Sequence, residues 1–479
     1  MAQFRKNLGI TFDDVLLVPR KTHLSSRSKA DLTTQLTPHI RLAMPIISAN
    51  MDTVTESAMA IEMARAGGIG IIHRFLTIAD QTREVERVKR FGSHRIDNPI
   101  TAGPTEKLGE VLDALEEFQV TSVLVVDKDD KLLGLVTKRD TNFIINKNSR
   151  LKDIMTPVKK LITAAPNTTH RRAREIFKKR KLEKLPLVSQ KGKLTGLITA
   201  RDVLCAVNES QVTKDKNGRL RVGAAIGIGH EHMERTGKLI EAGCDVIVID
   251  IAHGHSTHLV KALRRLKKTF PNAEFIAGNV ATYEGVQDLI SAGADAVKIG
   301  IGPGALCTTR LIAGAGVPQI TAIQDAVRAR GRRRTPIIAD GGIRTSGDIT
   351  KALAAGASTV MIGTYFAGCD ESPALLFYKE GKKYKITRGM ASLTANQDRH
   401  VKTNTVSKDL KTYTAEGVEA IVPYKGPVSD ILTQLIGGIK SGLSYCGARS
   451  IQDLWKNAEF IRISSNALVE SRPHDVKSL

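Results

Sequence analysis

The stretch richest in chemical possibility is Lys298-Ile-Gly300-Ile-Gly302-Pro-Gly304-Ala-Leu-Cys307-Thr-Thr309-Arg310, in which three glycines at every second position lead to a cysteine. Glycine tolerates positive φ and lets a ligand or ion approach the backbone closely. Such a loop can aim several carbonyls at a monovalent cation, or several amides at a phosphate. A cysteine held at its end, beside hydroxyl and guanidinium groups that favour the thiolate, is a candidate nucleophile. A glycine-rich turn over an inert buried cysteine fits the spacing equally well.

Two later loops carry a different chemistry. Asp340-Gly341-Gly342-Ile343-Arg344 follows the apolar run 336–339, and Gly363-Thr364 follows the run 360–362. Glycine-bearing loops one unit apart can cradle a phosphate with backbone amides, while a carboxylate holds ribose hydroxyls. A ligand with a sugar phosphate is the expectation, with plain structural turns as the alternative. Asp250-Ile-Ala-His253-Gly-His255-Ser256 also ends an apolar run. Its two histidines lack a nearby third metal ligand, so Asp250 is read as an acceptor for a polar cofactor rather than as part of a metal site. Arg388-Gly389-Met390 precedes a polar stretch over 391–417 that contains Asp398-Arg399-His400 and ends at Glu416-Gly417. An excursion of that length on a compact domain is expected to be a functional flap.

The elements that must position these residues announce themselves by repetition. Ala66-Gly67, Ala242-Gly243, Ala292-Gly293 and Ala355-Gly356 each separate a helical stretch from an apolar run. Those runs do not alternate, as expected of parallel strands covered on both faces. A doubly wound sheet and a closed (β/α)8 barrel both satisfy the pattern. The barrel is favoured because the candidate residues fall just after strand C-termini in several units. A second repetition is internal: LLGLVTKRD (132–140) returns as LTGLITARD (194–202), offset by 62 residues, with matching upstream stretches. The chain is therefore expected to hold a barrel of residues 1–96 and 207–479, interrupted at 97–206 by two units (97–156 and 157–206) packed as a pseudo-twofold pair.

Bulk composition narrows the classes. With 479 residues, 42% apolar and 25% charged, the chain is globular and long enough for several domains. Five scattered cysteines without CxxC spacing, no secretory h-region and no membrane-length apolar run suggest a reduced, cytoplasmic protein. The net charge of +22 raises nucleic-acid binding. The densest basic runs, 178–181 and 332–334, lack interleaved aromatics, so a solvated face that favours small anions is preferred.

Taken together, FDDVLLVP (12–19), MDTVTE (51–56), GIGPGALCTT (300–309), ADGGIR (339–344), RGM (388–390), EGVEAIVPYKG (416–426) and ESRPHDV (470–476) resemble the IMP dehydrogenase/GMP reductase family over nearly the whole chain. The insertion is similar to a tandem CBS (Bateman) pair. The resemblance implies a TIM barrel whose Cys307 adds to C2 of a purine nucleotide, with Thr309 beside it. It implies that Asp340, Gly341, Gly342, Gly363, Thr364, Arg388, Gly389, Met390 and Glu416 hold the nucleotide. Asp250, Gly300 and Gly302 would lie along NAD, or NADP in a reductase. Potassium would bind carbonyls of Gly302, Gly304 and Cys307, with Glu470, Ser471 and Arg472 from a neighbouring subunit. Sharing of that kind implies a homotetramer, or pairs of tetramers forming an octamer. Adenine or guanine nucleotides would bind the CBS pair, where Asp140 and Asp202 occupy matching positions; an aspartate there can equally cap its helix.

Two reactions belong to the family. In one, hydride leaves IMP and water hydrolyses the resulting thioimidate to XMP, with help from Arg399. In the other, GMP loses ammonia and NADPH returns the hydride, with Thr309 and Glu416 handling protons. His253-Gly-His255-Ser256, AGAGVPQ (313–319), the insertion and the ESRPHDV tail resemble the dehydrogenase. The flap departs from the family pattern: His400 replaces a tyrosine, Ala391-Ser392 a glycine-serine, Ala305 a serine and Thr387 a tyrosine. IMP oxidation is the leading expectation, GMP reduction the alternative, and a non-catalytic nucleotide-sensing or RNA-associated relative the remote third.

Overall fold

Each apolar run that follows an Ala-Gly pair forms a strand of one parallel sheet, and the sheet closes on itself. A computed structural model describes residues 4–91, 96, 99–117, 120–141, 146–200, 203, 211–402 and 413–473. Among these, eight strands make the barrel: β1 (Ile46–Ser48), β2 (Ile69–Ile72), β3 (Gly223–Ile226), β4 (Val246–Asp250), β5 (Glu274–Val280), β6 (Ala296–Ile299), β7 (Ile337–Asp340) and β8 (Thr359–Ile362). Closure comes from Val360, Met361 and Ile362 of β8 pairing with Ile46, Ile47 and Ser48 of β1. The doubly wound alternative is thereby excluded. The Ala-Gly signal has a local cause. Gly67, Gly243, Gly293 and Gly356 all adopt φ between 92° and 109°, which turns the chain from helix into strand within one residue.

Strand residues alternate between two cores. Ile47, Ile69, Val248, Ile276, Ile338 and Met361 fill the barrel interior. Ile46, Val360 and Ile362 pack outward against helices such as Ser346–Ala354 and Val428–Tyr445. A small hairpin (Thr34–Gln35 with Arg41–Leu42) drives Leu36, Ile40 and Leu42 into the interior. Thr37 Oγ1 donates to Glu274 Oε2 at 2.7 Å, at the first residue of β5, so this end of the barrel is plugged. Burial of three aliphatic side chains at roughly 1.5–3 kcal/mol each makes the plug a substantial part of the core. Only the opposite end, at the strand C-termini, is left for ligands.

After β8 the chain adds an antiparallel sheet of β9 (Leu376–Lys379), β10 (Lys382–Arg388) and β11 (Glu419–Pro423). Between β10 and β11 the polar stretch expected as a flap begins as a helix, Leu393–Lys402. Buried Ser392 and Ala395 anchor its first turn. Residues 403–412 lie outside the described residues.

The second unit comprises Lys89–Ser210 and Lys216–Leu220, and the first comprises Met1–Val88, Gln211–Asp215 and Arg221–Leu479. Within the smaller unit, each sequence repeat gives a helix followed by an antiparallel strand pair. The first is Leu108–Glu117 with Ser122–Val126 and Leu132–Thr137; the second is His170–Arg180 with Lys184–Val188 and Leu194–Thr199. The 62-residue offset reappears as symmetry. Lys131 bridges Lys193, Leu132 N donates to Gly192 O (3.1 Å), and Leu194 N donates to Asp130 O (2.8 Å). Among the described residues, no helix is long and apolar enough to cross a membrane.

Candidate active site

A lysine in the middle of an apolar strand sets the floor of the open mouth. Lys298 is 2% exposed, and its ammonium donates to Asp250 Oδ1 (2.8 Å), to Asp340 Oδ2 (2.7 Å) and to Asn279 Oδ1. Asn279 Nδ2 in turn donates to Asp340 Oδ2 and to Gly300 O, both at 2.9 Å. Burial acts to strip charge from these groups, yet their proximity wins. The Lys298 ammonium, between Asp250 and Asp340, is held protonated beyond its ordinary range. Burial likewise opposes ionisation of Asp250, but Lys298 keeps that carboxyl below the usual carboxylate range. The sequence reading assigned roles to Asp250 and Asp340, named Lys298 without a role and left Asn279 out. The signal was present as a charge inside the run Ala296–Ile299, which has no other polar residue.

Gly300, directly beyond β6, is fixed by this floor. Its φ is +148°, and a β-carbon would stand 2.1 Å from Asp340 O. Gly300→Ala is expected to cost roughly 1–3 kcal/mol from backbone strain alone, read as a lower melting temperature, and to weaken nucleotide binding by displacing Asp340. An unchanged melting curve would contradict this account of the turn.

The glycine loop delivers Cys307 to a polar chain. Cys307 Sγ donates to Thr309 Oγ1 (3.1 Å), which donates to Glu416 Oε2 (2.7 Å). Glu416 arrives because residues 416–418 run antiparallel to the loop. Thr308 N donates to Glu416 O (2.9 Å), Val418 N donates to Leu306 O (3.0 Å), and Cys307 bridges Gly417. A half-buried thiol with a hydroxyl and a carboxylate in series has an exit for its proton. At two of the other described cysteines burial disfavours the thiolate. Burial, with Glu371 nearby, pushes the Cys369 thiol up to about 12, and burial also raises Cys446. Cys244 Sγ donates to the backbone carbonyls of Val222 and Val246.

The loops expected to hold a nucleotide converge on the same mouth. Gly341 lies against Pro303 and Gly304, Gly342 against Phe12 and Pro303, and Gly363 against Met51. Gly389 abuts Leu306 O and Gly417. Thr364 opens the short helix Thr364–Ala367 behind Gly363. Met390 follows Gly389 in the turn to the flap helix. FDDVLLVP supports ADGGIR from below. Arg344 pairs with Asp13, and Lys351 Nζ donates to Phe12 O at 2.9 Å.

Arg388 is spent on protein groups. Asp52 Oδ2 accepts from its Nε (2.9 Å) and Nη2 (2.6 Å), and its Nη1 lies 2.7 Å from Asp398 Oδ2 of the flap helix. It therefore joins the loop after β1 to the flap. Thr387 is fully buried, with its hydroxyl 3.0 Å from that of Thr53. Where the family has a tyrosine, this side chain is committed to an internal contact.

Gly302 and Gly304 stand in the same turn as Cys307, and Gly304 O accepts Cys307 N at 3.1 Å. Arg310 packs across Gly302 so closely that a β-carbon there would lie 2.5 Å from its Cγ. A turn that offers backbone oxygens and no carboxylate side chain suits a monovalent ion better than a divalent one. Glu470 ends the helix Ser465–Glu470 and Ser471 and Arg472 follow it, all three exposed. Among the described residues, no three His, Cys, Asp or Glu side chains cluster for a metal. His255 pairs with Asp288 (2.9 Å), and His253 is exposed. Arg399 lies in the flap helix, but its side chain and that of His400 are outside the described residues, as is Asp202. Asp140 accepts from Thr137 N (2.8 Å) and Thr137 Oγ1 (2.7 Å), so it caps its helix.

Comparison with known proteins agrees with this geometry. A family model described as the IMP dehydrogenase / GMP reductase domain matches residues 9–474. The chain is 52% identical over 471 residues to inosine-5'-monophosphate dehydrogenase of Nitrosopumilus maritimus, covering 98% of both chains. It is 49% identical over 475 residues to that of Aquifex aeolicus, covering 98% of this chain and 96% of the relative. Among solved structures, GMP reductase from Trypanosoma brucei in complex with guanosine 5'-monophosphate superposes with a TM-score of 0.90 at 41% identity, covering 98% of each chain. A barrel with this loop set, matched at this identity over nearly its full length, belongs to the IMP dehydrogenase / GMP reductase family.

Proposed function

We propose that this chain oxidises IMP to XMP with NAD⁺, through a covalent thioimidate on Cys307. The observation that carries the reading is the Cys307–Thr309–Glu416 chain at the open end of the barrel. The Cys307 thiol gives up its proton through Thr309 Oγ1 towards Glu416, and Sγ forms a bond to C2 of the purine. A bound nicotinamide dinucleotide supplies the acceptor for the hydride that leaves C2. Water then adds at C2, the C–S bond breaks, and Glu416 with Thr309 offers a route for the water's proton. Arg399 is assigned the role of assisting that water. Asp340, Gly341, Gly342, Gly363, Thr364, Gly389 and Met390 hold the nucleotide, while Arg388 positions the flap through Asp398. Asp250, Gly300 and Gly302 face the cofactor.

Carbonyls of Gly302, Gly304 and Cys307 would bind potassium, joined by Glu470, Ser471 and Arg472 of a neighbouring copy in a homotetramer. The repeated smaller unit is read as a tandem CBS pair that takes adenine or guanine nucleotides. Its symmetric strand pairing supports this. A cytoplasmic location is in keeping with four free cysteines among the described residues.

A second reading, reduction of GMP by NADPH with release of ammonia, is favoured by the structural likeness to GMP reductase and by His400 after Arg399. One pair of assays decides. IMP with NAD⁺ is expected to produce reduced nicotinamide, and GMP with NADPH is expected to leave it unconsumed. NADPH consumption with ammonia release, and no reaction of IMP, would transfer the assignment to the reductase.

A further inference from the structure

Lys298 has three N–H donors and three acceptors, and each acceptor comes from a different strand: Asp250 ends β4, Asn279 lies in β5 and Asp340 ends β7. Asn279 closes the ring by donating back to Asp340. One buried positive charge is thus divided between two carboxylates, which are assigned to different ligands. We infer that Lys298 is a positioning residue that couples the cofactor pocket to the nucleotide pocket by sharing its charge between Asp250 and Asp340. The inference rests on the pocket assignments given under Proposed function.

The physical reason is competition for one ammonium. When one carboxylate is neutralised, Lys298 binds the other more tightly, in a site where water does little to screen the exchange. A carboxylate held more tightly is a weaker acceptor for a ribose hydroxyl. Each pocket's affinity therefore depends on the charge in the other. An ion pair that merely stabilised the floor would raise no such cross effect, because either aspartate would then influence only its own ligand.

The test uses full-length protein carrying Cys307→Ser to prevent turnover, with IMP and NAD⁺ titrated separately by calorimetry. Asp250→Asn and Asp340→Asn are made with Lys298 intact and again with Lys298→Met. With Lys298 intact, Asp340→Asn should weaken IMP and should also weaken NAD⁺ by roughly fivefold or more, as expected of a modest coupling energy. Asp250→Asn should weaken NAD⁺, with a comparable cross effect on IMP. In the Lys298→Met background the cross effects should vanish while the direct losses remain. Cross effects that are absent with Lys298 intact, or that persist without it, would overturn the coupling and leave the pocket assignments standing. If an aspartate variant fails to weaken its own ligand, the assignment itself falls and the inference with it. Should Lys298→Met not fold, Lys298→Gln removes the charge while keeping hydrogen-bond donors, and absent cross effects in the Lys298 protein still refute the coupling.

Discussion

Cys307→Ser is expected to lower kcat by on the order of 10⁴- to 10⁶-fold, with little change in nucleotide affinity or melting temperature. The substitution keeps the side chain's shape and its hydrogen bond to Thr309, so the loop has no reason to move. What it removes is a polarisable nucleophile with an accessible thiolate; an alcohol in the same place is far weaker towards C2. Cys244→Ser, at a thiol that donates to the backbone carbonyls of Val222 and Val246, should leave turnover intact. Quenching the reaction and weighing the protein should reveal a nucleotide adduct in the parent enzyme and none in the Cys307 variant. A Cys307→Ser enzyme that kept a tenth of the parent's rate would end the covalent mechanism.

Breaking the polar chain behind the cysteine should come second in size. Glu416→Gln preserves the contact with Thr309 but removes the proton acceptor, and about 10²- to 10⁴-fold should be lost from kcat. Thr309→Val should fall in the same range, because its methyl group cannot pass a proton between Sγ and Glu416 Oε2. Thr309→Ser keeps the hydroxyl and should retain most of the rate. The contrast between valine and serine is the informative measurement. Equal rates for the two would show that Thr309 only fills space and that protons leave by another path.

Much of this architecture was legible because single residue types report backbone geometry. The Ala-Gly pairs read as helix-to-strand turns because positive φ there favours glycine, and the buried parallel strands read as runs without alternation. The 62-residue repeat was visible as letters before it was visible as paired strands. Cys307 was found through its glycine loop and Asp340 through the two glycines after it. Lys298 was named only as the start of the glycine stretch, and Asn279 not at all, because both stand within strands. A lysine amid Ala-Val-Ile has no visible partner in the sequence until the chain closes a barrel and brings two carboxylates to it. The Asp52–Arg388–Asp398 junction escaped for a related reason, since Asp52 lies more than three hundred residues before Arg388 and Asp398 and no local pattern links it to them. Thr387 stood out as a departure from a family pattern, but only its contact with Thr53 explains what the side chain does instead.

The seam between β2 and β3 has an evolutionary consequence. Ile71 and Ile72 pair directly with Gly223 and Ala224, so the barrel's hydrogen-bonded wall is continuous across the point where the smaller unit interrupts the chain. The wall owes none of its ladder to that unit. Selection can enlarge, exchange or delete the intervening module without reopening the cylinder's hydrogen-bonded wall.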